Sequence, residues 1–330
     1  MNLKSKLKFL FQVLSNTKLK DIYEFLNLVK YFLKGWKVIV LRNDRIGHQI
    51  LNTISFLSNI SPKESYKFKF IISNPSRMSC NQFITNYWDT YLRKEGYIVF
   101  SGNFTTLFIE YLMVKFCQKE SKKDHLFFEK NKFYFLKTKE FYTSNNKLIN
   151  LSYLNKNDAG QIFNKNYKPL PKLKLKLSDP KFNNLRPLKY VCTYTRDSEY
   201  LNSLNLLQDF TYHDYRNDNY LKLISTVKYL NSKNLPVVRM GNIKKFINKN
   251  HFSKDHVDFE NLSSDGSHEI ILCSNCLFYI GDTSGLANVA VAFGRPVLRY
   301  NWIPLFNSQP FKTLVIPMLI RNRETKGETN

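Results

Sequence analysis

The feature that most constrains the fold is a repeated alternation of short β-branched runs with longer segments of helical periodicity. In the first half, residues 37–41 (KVIVL), 68–73 (FKFIIS) and 97–100 (YIVF) predict strands, and residues 81–95 predict a helix that ends at Gly96. This order favours a parallel sheet, because each crossover between parallel strands needs about a helix's length of chain. The first half is therefore predicted to be an α/β domain.

The same alternation restarts near residue 187. Strands are predicted at 190–194, 236–240, 277–280 and 296–300, and helices at 221–230, 269–276 and 286–293. A chain of 330 residues is long enough for two domains with separate cores. We therefore expect an α/β protein of two Rossmann-like domains.

The lysine- and asparagine-rich residues 119–185, which contain Pro169, Pro171 and Pro180, predict an interdomain region. Four segments are expected on this basis: amphipathic N-terminal helices (1–36), a first α/β domain with the interdomain region (37–186), a second Rossmann-like domain (187–310) and a C-terminal tail (311–330).

Composition excludes several classes of protein. A hydrophobic share of 43% excludes a disordered chain, and no run of about 18 uncharged apolar residues predicts a membrane-spanning helix. The first residues lack a small-residue cleavage site, so we expect cytoplasmic residence. Five scattered cysteines argue against a disulfide framework. Cys273 and Cys276 form a C-x-x-C pair with no second pair, and they predict small apolar residues before a buried strand and no metal site.

The net charge of +24 would suit a nucleic acid, an anionic membrane or an anionic substrate. A composition biased towards Lys, Asn, Ile, Phe and Tyr produces the same charge without any binding role. RNA-binding signatures and Cys/His fingers are absent, so no nucleic-acid partner is expected. Residues 1–33 space apolar side chains at helical intervals with lysines between them, and such helices either lie on anionic lipid or pack on the first domain.

Four polar loops follow predicted strands, where ligands of open parallel sheets bind. They are 42–48, 195–198, 241–244 and 281–285. In the last, GDTSG, the glycines let the backbone approach a ligand, and Thr283 and Ser284 offer hydroxyls at a helix start that suits a diphosphate. The same residues cap helices without any ligand, so both interpretations stand. No GxxxxGK[ST] or GxGxxG motif is present, which argues against kinases and dinucleotide-binding enzymes.

Residues 212–217 (YHDYRN) place a histidine, two aromatics, an acid and a base just before a predicted helix. They predict a functional loop, and the alternative is a solvated turn in which Asn217 or Asp218 caps the helix. Arg196 and Asp197 likewise form either part of a site or a surface ion pair.

Several short motifs occur in one order along the chain: Arg45-Ile46-Gly47-His48, Arg196-Asp197, Asp214-Tyr215-Arg216-Asn217, Val238-Arg239-Met240-Gly241, and Thr283-Ser284-Gly285-Leu286 with Phe293-Gly294-Arg295-Pro296-Val297. This ordered set, spread over roughly residues 37–305, resembles a family of bacterial glycosyltransferases found with surface-polysaccharide genes. The resemblance implies a GT-B-like fold of two domains facing across a cleft. It also implies an acceptor in the N-terminal half, a nucleotide sugar in the C-terminal half, and neither a metal nor a cofactor.

Asp282 departs from the family pattern, which has an uncharged residue before Thr-Ser-Gly. An acid beside a phosphate would repel it, unless the acid binds sugar or caps the helix.

Sugar transfer without a metal needs cations and amides that stabilise the departing diphosphate, and a base for the acceptor proton. The predicted donor-binding residues are Arg196, Asp197, Asp214, Arg216, Asn217, Arg239, Gly241, Thr283, Ser284 and Gly285. The predicted base is His48, since histidine titrates near neutrality and this one follows Gly47 in a loop after the first strand. Asp44 is the reserve base, Arg45 and Gly47 belong to the acceptor-side loop, and the alternative for His48 is a buried helix-capping histidine.

The expected function is transfer of a sugar from a nucleotide-activated donor to a saccharide or lipid-linked acceptor, in the cytoplasm or at the inner face of the membrane. A non-catalytic sugar- or nucleotide-binding protein, and a structural partner in a polysaccharide-assembly complex, are the alternatives.

Overall fold

The computed structural model describes residues 19–41, 43, 45–59, 61–67, 69–74, 79–102, 104–105, 133–135, 140–142, 148–150, 168–177, 180–196, 217–241, 256–258, 266–282, 284–302, 312–318, 320–321 and 328–329. The chain divides into two compact units, Met1–Ser152 and Tyr153–Asn330.

The first unit is built on a four-stranded parallel sheet in the order β3-β2-β1-β4. Its elements are α1 (Leu19–Leu33), β1 (Lys37–Val40), α2 (Ile46–Asn59), α3 (Pro62–Lys67), β2 (Phe70–Ser73), α4 (Gln82–Lys94), β3 (Val99–Phe100) and β4 (Phe133–Phe135), followed by an antiparallel pair, β5 (Glu140–Tyr142) and β6 (Leu148–Asn150). The β-branched residues of β1, β2 and β3 are buried, which explains why these short runs form the centre of the sheet.

Helix α4 shows how local sequence sets an element's ends. The side chain of Asn81 caps the helix by accepting a hydrogen bond from the Ile84 backbone N at 2.9 Å. Gly96 follows the helix with a φ of +96°, a left-handed conformation that suits glycine. The predicted helix and its glycine end are therefore confirmed.

The second unit contains a six-stranded parallel sheet in the order β12-β11-β10-β7-β8-β9. Its elements are β7 (Val191–Tyr194), α5 (Ile224–Ser232), β8 (Val237–Arg239), β9 (His256–Asp258), α6 (Ser267–Asn275), β10 (Phe278–Gly281), α7 (Gly285–Ala292), β11 (Val297–Trp302) and β12 (Thr313–Pro317), with 3-10 turns at Pro180–Phe182 and Tyr220–Leu223 and an antiparallel pair of β13 (Ile320–Arg321) and β14 (Glu328–Thr329).

This strand order is that of a Rossmann fold. Counted from β7, the six strands lie in the order 6-5-4-1-2-3, so the chain reverses its direction of winding between β7 and β10. The predicted fold class, an α/β protein with two parallel-stranded halves, is confirmed, and the second half has the Rossmann order itself.

Two segments have a different structural place from the one that the sequence predicts. Residues 313–317, which were expected in the C-terminal tail, form strand β12 at one edge of the second sheet. Within the predicted interdomain region, the Leu170 backbone N donates to the Ala292 carbonyl at 2.8 Å, and the Asn275 side chain donates to the Leu173 carbonyl at 3.1 Å. Residues 168–177 therefore belong to the second unit. Within the described residues, no helix combines the length and apolar character needed to cross a membrane.

Candidate functional site

The residues that follow β7 and β10 meet at the point where the strand order of the second sheet reverses. Asp282 comes directly after β10 and is completely buried. One of its carboxylate oxygens, Oδ2, accepts a hydrogen bond from the Arg196 backbone N at 2.5 Å. Because open parallel sheets bind ligands outside the carboxyl ends of their strands at such a reversal, this is the candidate site of the second unit.

Asp282 has a structural task at this edge. Its carboxylate holds the backbone that follows β7, so its negative charge is partly satisfied by an amide rather than left to face a ligand. This hydrogen bond is a structural role for the acid that differs from the sugar binding and helix capping considered in the sequence analysis. Asp282 was left out of the predicted site because an acid beside a phosphate repels it. Its hydrogen-bond partner lies 86 positions earlier in the chain, so local sequence could not indicate this contact.

Arg196 brings a cation to the same place. Its Nε atom is buried and has no hydrogen-bond partner within the part of the chain that the structure describes. Buried polar atoms nearly always have a partner, so a buried donor of this kind is a position that a ligand acceptor can satisfy.

Asp218 is a second acid that organises this edge. Its backbone N donates to the Arg196 carbonyl at 3.0 Å. Its carboxylate pairs with Lys222 Nζ at 2.6 Å and accepts a hydrogen bond from the side chain of Asn301, which lies on β11. Asp218 lies before α5, and it thereby connects the segment after β7 to strand β11. From the sequence, Asp218 was predicted only as a possible helix cap.

The cap of the helical segment before α5 is Asn219, whose side chain accepts from the Leu221 backbone N at 3.0 Å. The sequence suggested a cap at Asn217 or Asp218, and the observed cap lies two positions after the first and one after the second. Asn217 is half-buried beside this cap.

The end of β8 contributes Arg239 and Gly241. The Arg239 guanidinium carbon lies 4.5 Å from the centre of the Tyr220 ring, and the Tyr220 hydroxyl is 2.6 Å from Thr193 Oγ1 on β7. This stacking holds the cation in place. Gly241 has a φ of +99°, and a Cβ added there would lie 2.5 Å from Cε2 of Tyr194. Only glycine fits this turn without displacement of the aromatic ring.

The GDTSG loop ends in a helix cap. Ser284 accepts a hydrogen bond from the Ala287 backbone N at 3.5 Å, and its hydroxyl is 3.3 Å from the Tyr279 hydroxyl. Gly285 begins α7 directly after this cap. The helix-cap interpretation of Ser284 is therefore correct. Because α7 starts beside Asp282, its first amides and the positive end of its dipole also lie at the strand reversal.

In the first unit, the predicted base lies at a helix start. Helix α2 begins at Ile46, so Gly47 and His48 belong to its first turn, and the Gln49 backbone N already donates to the Arg45 carbonyl at 2.9 Å. The expectation that His48 lies on a glycine loop is wrong, because the helix already begins at Ile46, two residues before it. His48 itself is half-buried.

A buried polar network fixes this helix start to α4. Gln49 is fully buried, and its side-chain amide donates to Thr85 Oγ1 at 2.6 Å and to the Asn81 carbonyl at 3.2 Å. Asn43 donates to Asn74 Oδ1 at 2.9 Å, which connects the ends of β1 and β2. This network was not predicted from the sequence, where the only local signal is the pair of asparagines, Asn43 and Asn74, that follow two predicted strands.

The predicted site residues divide into two sets. The structure describes Arg45, Gly47 and His48 in the first unit and Arg196, Asn217, Arg239, Gly241, Ser284 and Gly285 in the second. The others lie outside the described residues: Asp44, Asp197, Asp214, Arg216 and Thr283.

The C-x-x-C pair is part of the core. Cys273 and Cys276 are completely buried free thiols, and burial raises the pKa of Cys273. Among the described residues, no group of three or more His, Cys, Asp or Glu side chains is arranged to hold a metal ion.

No protein-family model matches the chain, and no curated protein matches it in sequence. Its fold is similar to that of the iron-containing dodecameric glycosyltransferase TibC from enterotoxigenic E. coli, with 16% identity and a TM-score of 0.42 over 84% of this chain and 63% of that one. The chain thus spans less than two thirds of the length of TibC. It is also similar to the E. coli ADP-heptose LPS heptosyltransferase II, with 14% identity, a TM-score of 0.43, and 85% and 90% of the two chains covered. A glycosyltransferase of family 9 from Veillonella parvula aligns with 10% identity and a TM-score of 0.46, over 88% of this chain and 89% of that one.

Proposed function

We propose that this protein is a glycosyltransferase that moves a sugar from a nucleotide-activated donor to a saccharide or lipid-linked acceptor in the synthesis of a cell-surface polysaccharide. The observation that carries the proposal is the meeting of Arg196 and Asp282 at the strand reversal of a Rossmann-ordered sheet. The ordered set of glycosyltransferase-like motifs, from Arg45 to Val297, is the second support.

The donor's diphosphate is proposed to bind at the start of α7. The amides of the first turn and the positive end of the helix dipole favour an anion there, and the Arg196 side chain has a buried donor at the same edge. Arg239 supplies a second cation, held over Tyr220. Asp197, Asp214, Arg216 and Thr283 complete the proposed donor set by their place in the motifs, with Asn217, Gly241, Ser284 and Gly285.

The chemistry requires one bond to form and one to break. The acceptor hydroxyl oxygen attacks the anomeric carbon, the bond between that carbon and the diphosphate oxygen breaks, and the acceptor proton passes to a base. We assign the base role to His48 and keep Asp44 in reserve. The departing diphosphate gains negative charge, which the arginines and helix amides stabilise, so the proposed reaction needs no metal ion.

A lipid-linked acceptor would place the enzyme at a membrane surface on the side where nucleotide sugars are made. Residence in the cytoplasm and at the inner face of the membrane is therefore part of the proposal. The alternative, a non-catalytic nucleotide- or sugar-binding protein, shares the donor site but would not release the nucleotide diphosphate from a bound nucleotide sugar.

The test is a thermal-shift screen of the full chain against UDP, GDP, CDP, dTDP, CMP and ADP, because a ligand that binds only the folded state raises the Tm. One nucleotide should raise the Tm clearly, and Arg196→Met should abolish that shift. Arg186→Met, which removes an exposed arginine from the same unit, should leave it intact. No shift with any nucleotide would contradict the donor site.

A turnover assay with the matching nucleotide sugar separates the enzyme from a binding protein. Release of the nucleotide diphosphate that continues in excess EDTA is the expected result. Binding without release would favour the non-catalytic alternative, and release that stops in EDTA would refute metal independence.

A further inference from the structure

Helix α1 has two different faces. Its inner face packs on the first unit, where Leu28 joins a core cluster with Val38, Val40, Ile71 and Phe100. Glu24 is also buried on this side and accepts hydrogen bonds from the backbone N atoms of Ser101 at 3.2 Å and Gly102 at 3.0 Å. The helix is therefore fixed to the unit along this side.

The outer face of α1 is apolar and exposed. It consists of Leu19, Ile22, Tyr23, Leu26 and Leu33, whose exposed fractions lie between 42% and 86%. At 3.6 residues per turn these five positions fall within a sector of about 100°. They are five of the ten large hydrophobic side chains that are exposed in the described part of the chain. Single exposed apolar residues are ordinary, but a continuous strip marks an interaction surface.

The charges on α1 are sorted between its two sides. Lys20, Lys30 and the adjoining Lys34 are exposed, and Lys30 lies within the sector of the outer face. The two acids of the helix are turned inward, since Glu24 is buried and the Asp21 carboxylate lies against Gly102. The outer face therefore presents apolar and cationic groups together.

This charge distribution selects among the occupants that an apolar strip could have. A second copy of the chain would bring the same three lysines against these three. The N-terminal residues 1–18 carry four lysines and no acid, so they too would add like charge. Only a partner that is both apolar and anionic satisfies the whole surface, because like charges in close contact oppose binding.

We propose that the outer face of α1 binds the surface of an anionic lipid bilayer. The 15-residue helix would lie in the plane of the interface with its leucines among the acyl chains and its lysines at the headgroups. This inference goes beyond the donor site and does not depend on it. It assigns the membrane contact to a defined face of a helix that is held by its opposite side.

The test measures binding of the full chain to phosphatidylcholine vesicles with and without phosphatidylglycerol, by co-sedimentation. We expect binding only when phosphatidylglycerol is present. Lys20→Glu/Lys30→Glu/Lys34→Glu should lower the partition coefficient at least about 100-fold, since each lysine near an anionic surface contributes substantially. The matched control is Lys172→Glu/Lys174→Glu/Lys176→Glu, which makes the same charge change at three exposed positions of the second unit and should keep most of the binding.

The apolar part of the face is tested by Leu19→Ser/Leu26→Ser, which should lower binding at least about tenfold. Its control is Leu314→Ser/Ile316→Ser, which removes two exposed apolar side chains from edge strand β12. The circular-dichroism melting curve of each variant checks that it folds. Vesicle binding is measured without a nucleotide, so its result does not depend on the proposed donor site.

Three results would overturn the proposal. Equal losses in the two lysine variants would mean that net charge, rather than this face, holds the vesicle. Unchanged binding of the outer-face variants would remove α1 from the contact. Concentration-dependent dimers that Leu19→Ser/Leu26→Ser dissociates, with no vesicle binding by the unmodified chain, would identify a second copy as the occupant.

Discussion

The Asp282 carboxylate accepts a hydrogen bond from the Arg196 backbone N, and this bond joins the ends of the two central strands of the second sheet, β7 and β10. Asp282 is completely buried and Arg196 is half-buried, so the bond is only weakly screened by salt. The backbone of the arginine that we assign to the donor's diphosphate is thus held by an acid, although an acid beside a phosphate repels it.

Replacement of Asp282 should weaken both the fold and the donor site. Asp282→Ala removes the acceptor of a buried, charge-assisted hydrogen bond and should lower the free energy of unfolding by about 1.5–3 kcal/mol. Asp282→Asn keeps an acceptor oxygen and should lose less. Urea unfolding measures both, and Asp89→Asn, at an exposed ion pair of α4, is the control that should change stability by less than about 1 kcal/mol. Equal stability of Asp282→Ala and the unmodified chain would show that the bond contributes nothing.

Gly241 and Gly35 form a matched pair for a test of close packing. Both have positive φ angles, +99° and +82°, but a Cβ at Gly241 would lie 2.5 Å from the Tyr194 ring, whereas one at Gly35 would have nothing within 4 Å. Gly35→Ala should therefore cost only the conformational penalty, about 1 kcal/mol. Gly241→Ala should cost about 1–3 kcal/mol more, because the ring must shift. Thermal or urea unfolding of the two variants gives the difference directly, and equal losses would contradict the predicted clash.

Local patterns allowed much of the fold to be predicted. The β-branched runs identified the central strands of both sheets, and the cap at Asn81 and the glycine at position 96 set the ends of α4. Strands β4 and β9 were missed because they are three-residue segments without a β-branched run, and pairing with a distant neighbour is what makes them strands.

Contacts between residues that are distant in sequence could not be predicted from local patterns. The hydrogen bond between Asp282 and Arg196 and the pairing of Asp218 with Asn301 join residues more than 80 positions apart, and no local spacing encodes them. His48 was placed in a loop because glycine at position 47 suggests one. The network around Gln49 instead ties this segment to α4 and supports a helix that starts at Ile46.

Glu269 should make stability depend on pH. It lies in the first turn of α6, and burial raises its pKa from 4.5 to about 7. Between these values the folded state binds a proton that the unfolded state releases, so this group stabilises the fold fully below about pH 4.5 and its contribution is lost as the pH rises to about 7. In the unmodified chain, this group should lower the free energy of unfolding by about 1–3 kcal/mol between pH 5 and pH 8. Glu269→Gln should not show this loss. Unfolding curves at both pH values measure it, with Glu95→Gln at an exposed helix end as control.

His48 provides the sharpest test of the proposed chemistry, because its role can be separated from donor binding. It lies in the first unit, whereas the residues assigned to the diphosphate lie in the second. If it takes the acceptor proton, His48→Ala should lower kcat by about 10²–10⁴-fold and leave the nucleotide-induced rise in Tm unchanged. Asp44→Asn is the companion variant: a large loss of kcat there, with a normal rate for His48→Ala, would transfer the role to the reserve base.

A combined loss of kcat and of the nucleotide shift in His48→Ala would instead indicate damage to the fold, which the melting curve of the variant alone would reveal. His48 lies in the first turn of a helix, immediately before the buried Gln49. A substitution by Ala can therefore disturb the helix start, and a second variant is needed. His48→Gln keeps a polar side chain of similar size but cannot take a proton near neutral pH. It should therefore fold as the unmodified chain does and still show the same decrease in kcat as His48→Ala.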